Sequence, residues 1–177
     1  MRTLILGGAR SGKSRMAEAM ASAHGGDVGY IATATCGDAE MRARIAAHRA
    51  RRPAAWCVVE EPLAVAAALR AQARAGRCVI VDCLTLWLSN LLLHADPRRW
   101  PDERADLLAT LRELPGDVVL VGNETGMGVV PLGELTRRFC DESGWLHQDL
   151  AALCDRVVLS VAGLPLILKG EPWNPPT

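Results

Sequence analysis

The run Gly7-Gly8-Ala9-Arg10-Ser11-Gly12-Lys13-Ser14 reads G-x-x-x-x-G-K-S and constrains the fold of this chain more than any other feature. It follows an apolar, strand-like stretch at 3–6 and opens a helical pattern over 13–23. That context is what a phosphate-binding loop (P-loop) requires. Glycines let backbone N–H groups wrap phosphate oxygens, and the helix N-terminus adds the positive end of its dipole. In such a loop Lys13 reaches the β- and γ-phosphates, and the Ser14 hydroxyl is a ligand for Mg²⁺. Of the 20 basic residues only Lys13 and Lys169 are lysine, so the lysine at 13 is a specific choice.

A strand that feeds a P-loop belongs to a parallel sheet, and the rest of the chain alternates accordingly. Further strands are expected at 28–32, 56–59, 78–81 and 118–121. Helices are expected over 38–51, 62–75, 84–94, near 102–113 and over 132–153, with Ser143-Gly144 as the candidate break in the last. Residues 96–101, polar and Pro-bearing, separate two of them. The end differs: 157–161 and 164–168 flank Ala162-Gly163 and read as a hairpin. The fold class is therefore α/β, a mostly parallel sheet with helices on both faces and an antiparallel C-terminal edge hairpin.

At 177 residues the chain fits one domain, 1–177. Basic and acidic residues number 20 each, so no global field draws the protein to nucleic acid or an anionic membrane. The most apolar stretch, 79–93, carries Asp82 and Asn90 and is too short to span a bilayer. The six cysteines form no C-x-x-C pair and no zinc spacing. With no secretory leader before the first strand, the expected location is the cytoplasm.

Four further places carry candidate chemistry. Asp82 ends the strand at 78–81, where a carboxylate either joins Ser14 in holding Mg²⁺ or caps the following helix; the roles are compatible. Residues 38–53 hold five arginines (42, 44, 49, 51, 52) and His48. This is either a solvated basic helix face or a cationic flap over a polyphosphate, in which His48 could act as base or nucleophile at phosphorus. Asn123 and Glu124 begin a Gly-spaced loop after the strand at 118–121, suited to ligand contacts or simply a polar turn. Thr33-Ala34-Thr35 is a ligand loop or a turn. The helix at 84–94 is apolar almost all round, as in deep core or a subunit interface.

Taken together, these residues resemble a known family. Residues 3–15, Tyr30-Ile31-Ala32-Thr33, Glu40-Met41 with Arg44-Ile45, His48, Arg52-Pro53, Trp56, Glu60 and 121–131 are similar to the bifunctional adenosylcobinamide kinase / adenosylcobinamide-phosphate guanylyltransferases of cobalamin biosynthesis. The resemblance implies a RecA-like P-loop NTPase fold and a homotrimer. It implies phosphorylation of adenosylcobinamide with ATP or GTP, then transfer of GMP from GTP to the product, giving adenosylcobinamide-GDP. The family's guanylylated histidine falls on His48. Its nucleotide contacts fall on Gly7 to Ser14, Thr33, Ala34, Thr35, Arg49, Ala50, Arg51, Arg52, Glu60 and Asp82. A simple P-loop kinase without a covalent intermediate, or a non-catalytic nucleotide-binding module, are the alternatives that the P-loop by itself leaves open.

Overall fold

The computed structural model describes residues 1–35, 42, 46, 49 and 52–173. Seven strands form one sheet: β1 (Arg2–Gly7), β2 (Asp27–Ala32), β3 (Cys57–Glu60), β4 (Arg77–Asp82), β5 (Asp117–Asn123), β6 (Arg156–Val161) and β7 (Leu164–Lys169). Their order across the sheet is β3-β2-β4-β5-β1-β6-β7. Every neighbouring pair is parallel except β6 with β7, the expected hairpin. The helices are α1 (Lys13–Ala23), α2 (Val65–Gln72), α3 (Leu84–Leu92), α4 (Arg99–Glu113) and α5 (Glu134–Leu153). The helix expected over 38–51 falls largely outside the described residues.

The central strands are apolar on both sides because both faces of the sheet are covered. Ile5, Ile80, Val119 and Val121 pack with Met16, Ala17, Met20 and Ala21 of α1. Leu4, Leu6, Val79, Val81, Val118 and Leu120 pack on the opposite face with residues of α2, α3, α4 and α5. Each fully buried aliphatic side chain contributes about 1.5–3 kcal/mol.

Helix α3 turns its main apolar stripe inward. Leu84, Trp87, Leu88 and Leu91 are buried within the chain's own core. Trp87 meets Trp100 edge to face at 5.5 Å and donates from its indole N–H to the carbonyl of Leu63.

Three expected boundaries shift for local reasons. Helix α2 starts at Val65, because the Glu61 carboxylate accepts from the N–H groups of Leu63 and Ala64 and holds them in a turn. Helix α4 starts at Arg99 and so includes Trp100 and Pro101; proline is tolerated there, since N–H groups of a first turn have no intrahelical acceptor. Helix α5 does not break at Ser143-Gly144. Phe139, Ser143, Leu146, His147 and Leu150 form one inward stripe, and its packing outweighs the roughly 1 kcal/mol that a helical glycine costs.

Candidate active site

The loop between β1 and α1 is shaped by close approaches that need glycine. Gly7 has φ 151°, and a Cβ there would sit 2.4 Å from the backbone oxygen of Ser160. Gly12, left-handed at φ 101°, would place a Cβ 3.1 Å from the Cα of Gly163. The C-terminal hairpin thus lies directly against the P-loop. It also bonds to it: the Ser160 hydroxyl (2.8 Å) and the Gly163 N–H (2.9 Å) both donate to the carbonyl of Ser11. Lys13 folds over its own loop, its Nζ 2.6 Å from the carbonyl oxygen of Gly8. Burial lowers the pKa of this ammonium, and the neighbouring Cys83 and Asp82 oppose the shift. A triphosphate would offer it stronger acceptors than a single carbonyl.

At the tip of β4 the cap and the carboxylate turn out to be different residues. Cys83 is the N-cap of α3, its sulfur accepting from the N–H of Leu86. Asp82 does not cap the helix; its Oδ2 accepts a 2.6 Å hydrogen bond from the Tyr30 hydroxyl. Burial and the adjacent Asp82 charge push the Tyr30 phenol far above its usual range, so it acts as a donor. Asp82 and Ser14 supply the hard oxygen donors that Mg²⁺ favours. Among the described residues no group of three or more His, Cys, Asp or Glu could hold a metal ion.

Thr33 is fully buried, and its hydroxyl staples the ends of β2 and β4. It donates to the carbonyl of Cys83 (2.7 Å) and accepts from the N–H of the same residue (2.8 Å). Asn90 of α3 reinforces the junction by donating to the carbonyls of Thr33 and Pro62. The Thr33 side chain is therefore committed to the scaffold, while Thr35 is exposed and Ala34 half-buried.

Beyond Tyr30 lies a groove of about 390 Å³ lined by Arg49, Arg52, Pro53, Trp56, Val58 and Glu60, together with Ala54. The Arg52 guanidinium sits 3.6 Å from the centre of the Tyr30 ring, and Trp56 stacks on the same ring at 6.4 Å. Glu60, at the tip of β3, pairs with Arg49. The structure thus links Arg52, Tyr30 and Asp82 in one chain of contacts, with Arg49 and Glu60 in the adjoining groove. His48, Ala50 and Arg51 lie outside the described residues. The role of Tyr30 escaped sequence reasoning, although it is the chain's one tyrosine and lies inside the apolar part of β2.

Glu124 follows β5, which runs between β1 and β4, and its N–H donates to the carbonyl of Gly7. Its Oε1 accepts from the N–H of Gly126 at 2.6 Å, and its Oε2 lies 3.7 Å from Nδ1 of His147 on α5. Burial lowers the pKa of His147 below the usual histidine value, with Glu124 acting in the opposite sense.

The model of the cobinamide kinase / cobinamide phosphate guanyltransferase family matches residues 3–168. The chain belongs to this family. It is 66% identical over 172 residues to the bifunctional adenosylcobalamin biosynthesis protein CobP of Pseudomonas aeruginosa, covering 97% of this chain and 99% of that protein. It is 38% identical over 182 residues to the bifunctional adenosylcobalamin biosynthesis protein CobU of Escherichia coli, covering 96% of this chain and all of that one. Among solved structures the RadB recombinase superposes with a TM-score of 0.52 at 17% identity, over 89% of this chain and 73% of that chain. That likeness concerns the fold and agrees with the RecA-like architecture expected. No helix among the described residues is long and apolar enough to cross a membrane.

Proposed function

We propose that this chain phosphorylates the aminopropanol hydroxyl of adenosylcobinamide and then transfers GMP to the resulting phosphate, using one P-loop for both reactions and His48 as the carrier of GMP. The observation that carries the reading is the family match across nearly the whole chain, on a scaffold that builds a complete P-loop at the strand tips. Gly7 to Ser14 hold the triphosphate of ATP or GTP, with Lys13 on the terminal phosphates. Ser14 and Asp82 hold Mg²⁺, which when bound offsets phosphate charge. Arg49, Arg52 and Glu60, with Ala50, Arg51 and the 33–35 loop, complete the nucleotide contacts.

In guanylyl transfer the His48 imidazole attacks the α-phosphorus of GTP. The bond from that phosphorus to the bridging oxygen breaks, and pyrophosphate leaves. An oxygen of adenosylcobinamide phosphate then attacks the same phosphorus, the P–N bond breaks and the histidine is restored. Splitting one displacement into two in this way is the usual benefit of a covalent intermediate. Arginines beside the loop neutralise the charge on the transferring group. A single catalytic domain over 1–177, a cytoplasmic location and a homotrimeric assembly complete the proposal.

The test uses α-labelled GTP. The wild-type protein acquires label that is labile in acid and stable in base, as expected of a phosphoramidate. His48→Asn acquires none and still phosphorylates adenosylcobinamide. Lys13→Ala loses both reactions. Label that survives acid, or that still forms in His48→Asn, would place the nucleophile elsewhere.

A further inference from the structure

The P-loop, Asp82 and His48 leave one task in the phosphorylation step without a residue: accepting the proton of the acceptor hydroxyl. We propose that Glu124 is that base, with His147 as its positioning residue.

The sheet register places Glu124. Gly7 pairs with Asn123 and Asp82 with Val121, so Glu124 stands just past the strand tips, between the start of the P-loop and the strand of Asp82. Its N–H bond to the Gly7 carbonyl fixes its backbone against the loop that grips the phosphates. Strand alternation sets the side. Val119 and Val121 face α1, whereas a Cβ on Gly122 would meet His147 and Leu84. The Glu124 carboxylate reaches the same His147 and so leans to the α5 side. It therefore lies across the strand tips from the α1 N-terminus, where an acceptor can approach the terminal phosphoryl group opposite its leaving group.

Access and chemistry agree with this placement. Residues 125–130 and 132–138, immediately after Glu124, are all exposed, so a bulky acceptor reaches the carboxylate without displacing core. Other carboxylates at the strand tips are already engaged: Asp82 by Tyr30 and Glu60 by Arg49. One Glu124 oxygen is fixed by the Gly126 N–H, which leaves further lone pairs on a carboxylate able to accept about four hydrogen bonds. Behind it His147 is buried, and that burial favours the neutral imidazole. Its Nδ1, 3.7 Å from Oε2, holds the direction of the Glu124 carboxylate.

In the proposed step the acceptor O–H proton passes to Glu124. The oxygen forms its bond to the γ-phosphorus as the bond to the β,γ-bridging oxygen breaks, and the nucleoside diphosphate departs. Glu124 then returns the proton to solvent.

The inference rests on the kinase activity proposed above, and the experiment separates the two. Initial rates of adenosylcobinamide phosphorylation by ATP are measured for the full-length wild type, Glu124→Gln and His147→Gln, with GTP affinity measured in parallel. Glu124→Gln is expected to lose about 100-fold or more in kcat, with KM for ATP and GTP affinity within threefold of wild type. His147→Gln, which keeps a donor beside the carboxylate, is expected to lose about tenfold or less in kcat, again with KM unchanged. A Glu124→Gln rate within fivefold of wild type, a loss confined to KM, or a parallel loss of GTP binding would each overturn the assignment. A wild type without phosphorylation would overturn the functional reading itself.

Discussion

Replacing Gly7 by alanine tests how strictly the P-loop geometry is enforced. Two costs can be read from the structure. The residue has φ 151°, where an L side chain is strained by about 1–3 kcal/mol. The new Cβ would lie 2.4 Å from the Ser160 backbone oxygen and 2.8 Å from the Ser11 hydroxyl. Since β1 and β6 are paired strands of one sheet, relief requires backbone movement, and overpacking of this kind costs about 1–3 kcal/mol. The sum is about 4 kcal/mol. For a domain of this size that lowers Tm by about 8–16 °C. Gly8 is the internal control: a Cβ there meets nothing within 4 Å and its φ is ordinary. Thermal unfolding followed by tryptophan fluorescence should show a large drop for Gly7→Ala and a change of about 2 °C or less for Gly8→Ala. Equal Tm values for the two variants would refute the claim that the hairpin backbone sets the loop's shape.

Other outcomes follow from single contacts. Ser160→Ala removes one of two donors to the Ser11 carbonyl, a loss of about 1 kcal/mol, so GTP should bind roughly fivefold more weakly and both activities should fall by one common factor; a change in their ratio would contradict this. Trp87→Phe removes one of the two donors to the Leu63 carbonyl, leaving the Val65 N–H, and opens a gap beside Trp100, costing about 2 kcal/mol in a denaturant titration. Because the folded pKa of His147 is depressed, the unfolded chain binds the extra proton as pH falls below about 6.5. Stability contributed by this residue is therefore complete above that pH and declines below it, through the folded value, by at most about 1.4 kcal/mol per pH unit. His147→Gln should flatten that part of the stability–pH curve.

What could be read from the sequence was what short stretches encode by themselves. Glycine spacing before Lys13 announced the P-loop, and apolar runs bounded by turns located every strand to within a residue or two. Most of the failures involve partners distant in the chain; the start of α2, set by Glu61 on Leu63 and Ala64, and the Cys83 cap of α3 are local exceptions. Cys83 rather than Asp82 caps α3, and the Asp82 carboxylate is instead bonded by Tyr30, 52 residues away. Arg99 and Trp100 join α4 because Trp87 is there to pack against. The stripe that carries α5 through Gly144 exists only because a sheet lies beneath it. Similarly, nothing local in the pattern pairs Glu124 with His147, or brings Ser160 onto Ser11.

The place of β1 in the sheet has a consequence for how the protein comes into being on the ribosome. Strand β1 lies between β5 and β6, whose residues are made more than a hundred positions later. The P-loop is thus translated long before the hairpin, and the carbonyl of Ser11 waits for Ser160 and Gly163. Such long-range closure is slow relative to local helix formation. A nascent chain lacking its last hairpin carries the whole phosphate-binding motif without the clamp that shapes it. Tight nucleotide capture therefore waits for the hairpin, and chains that lack it have little means of sequestering GTP.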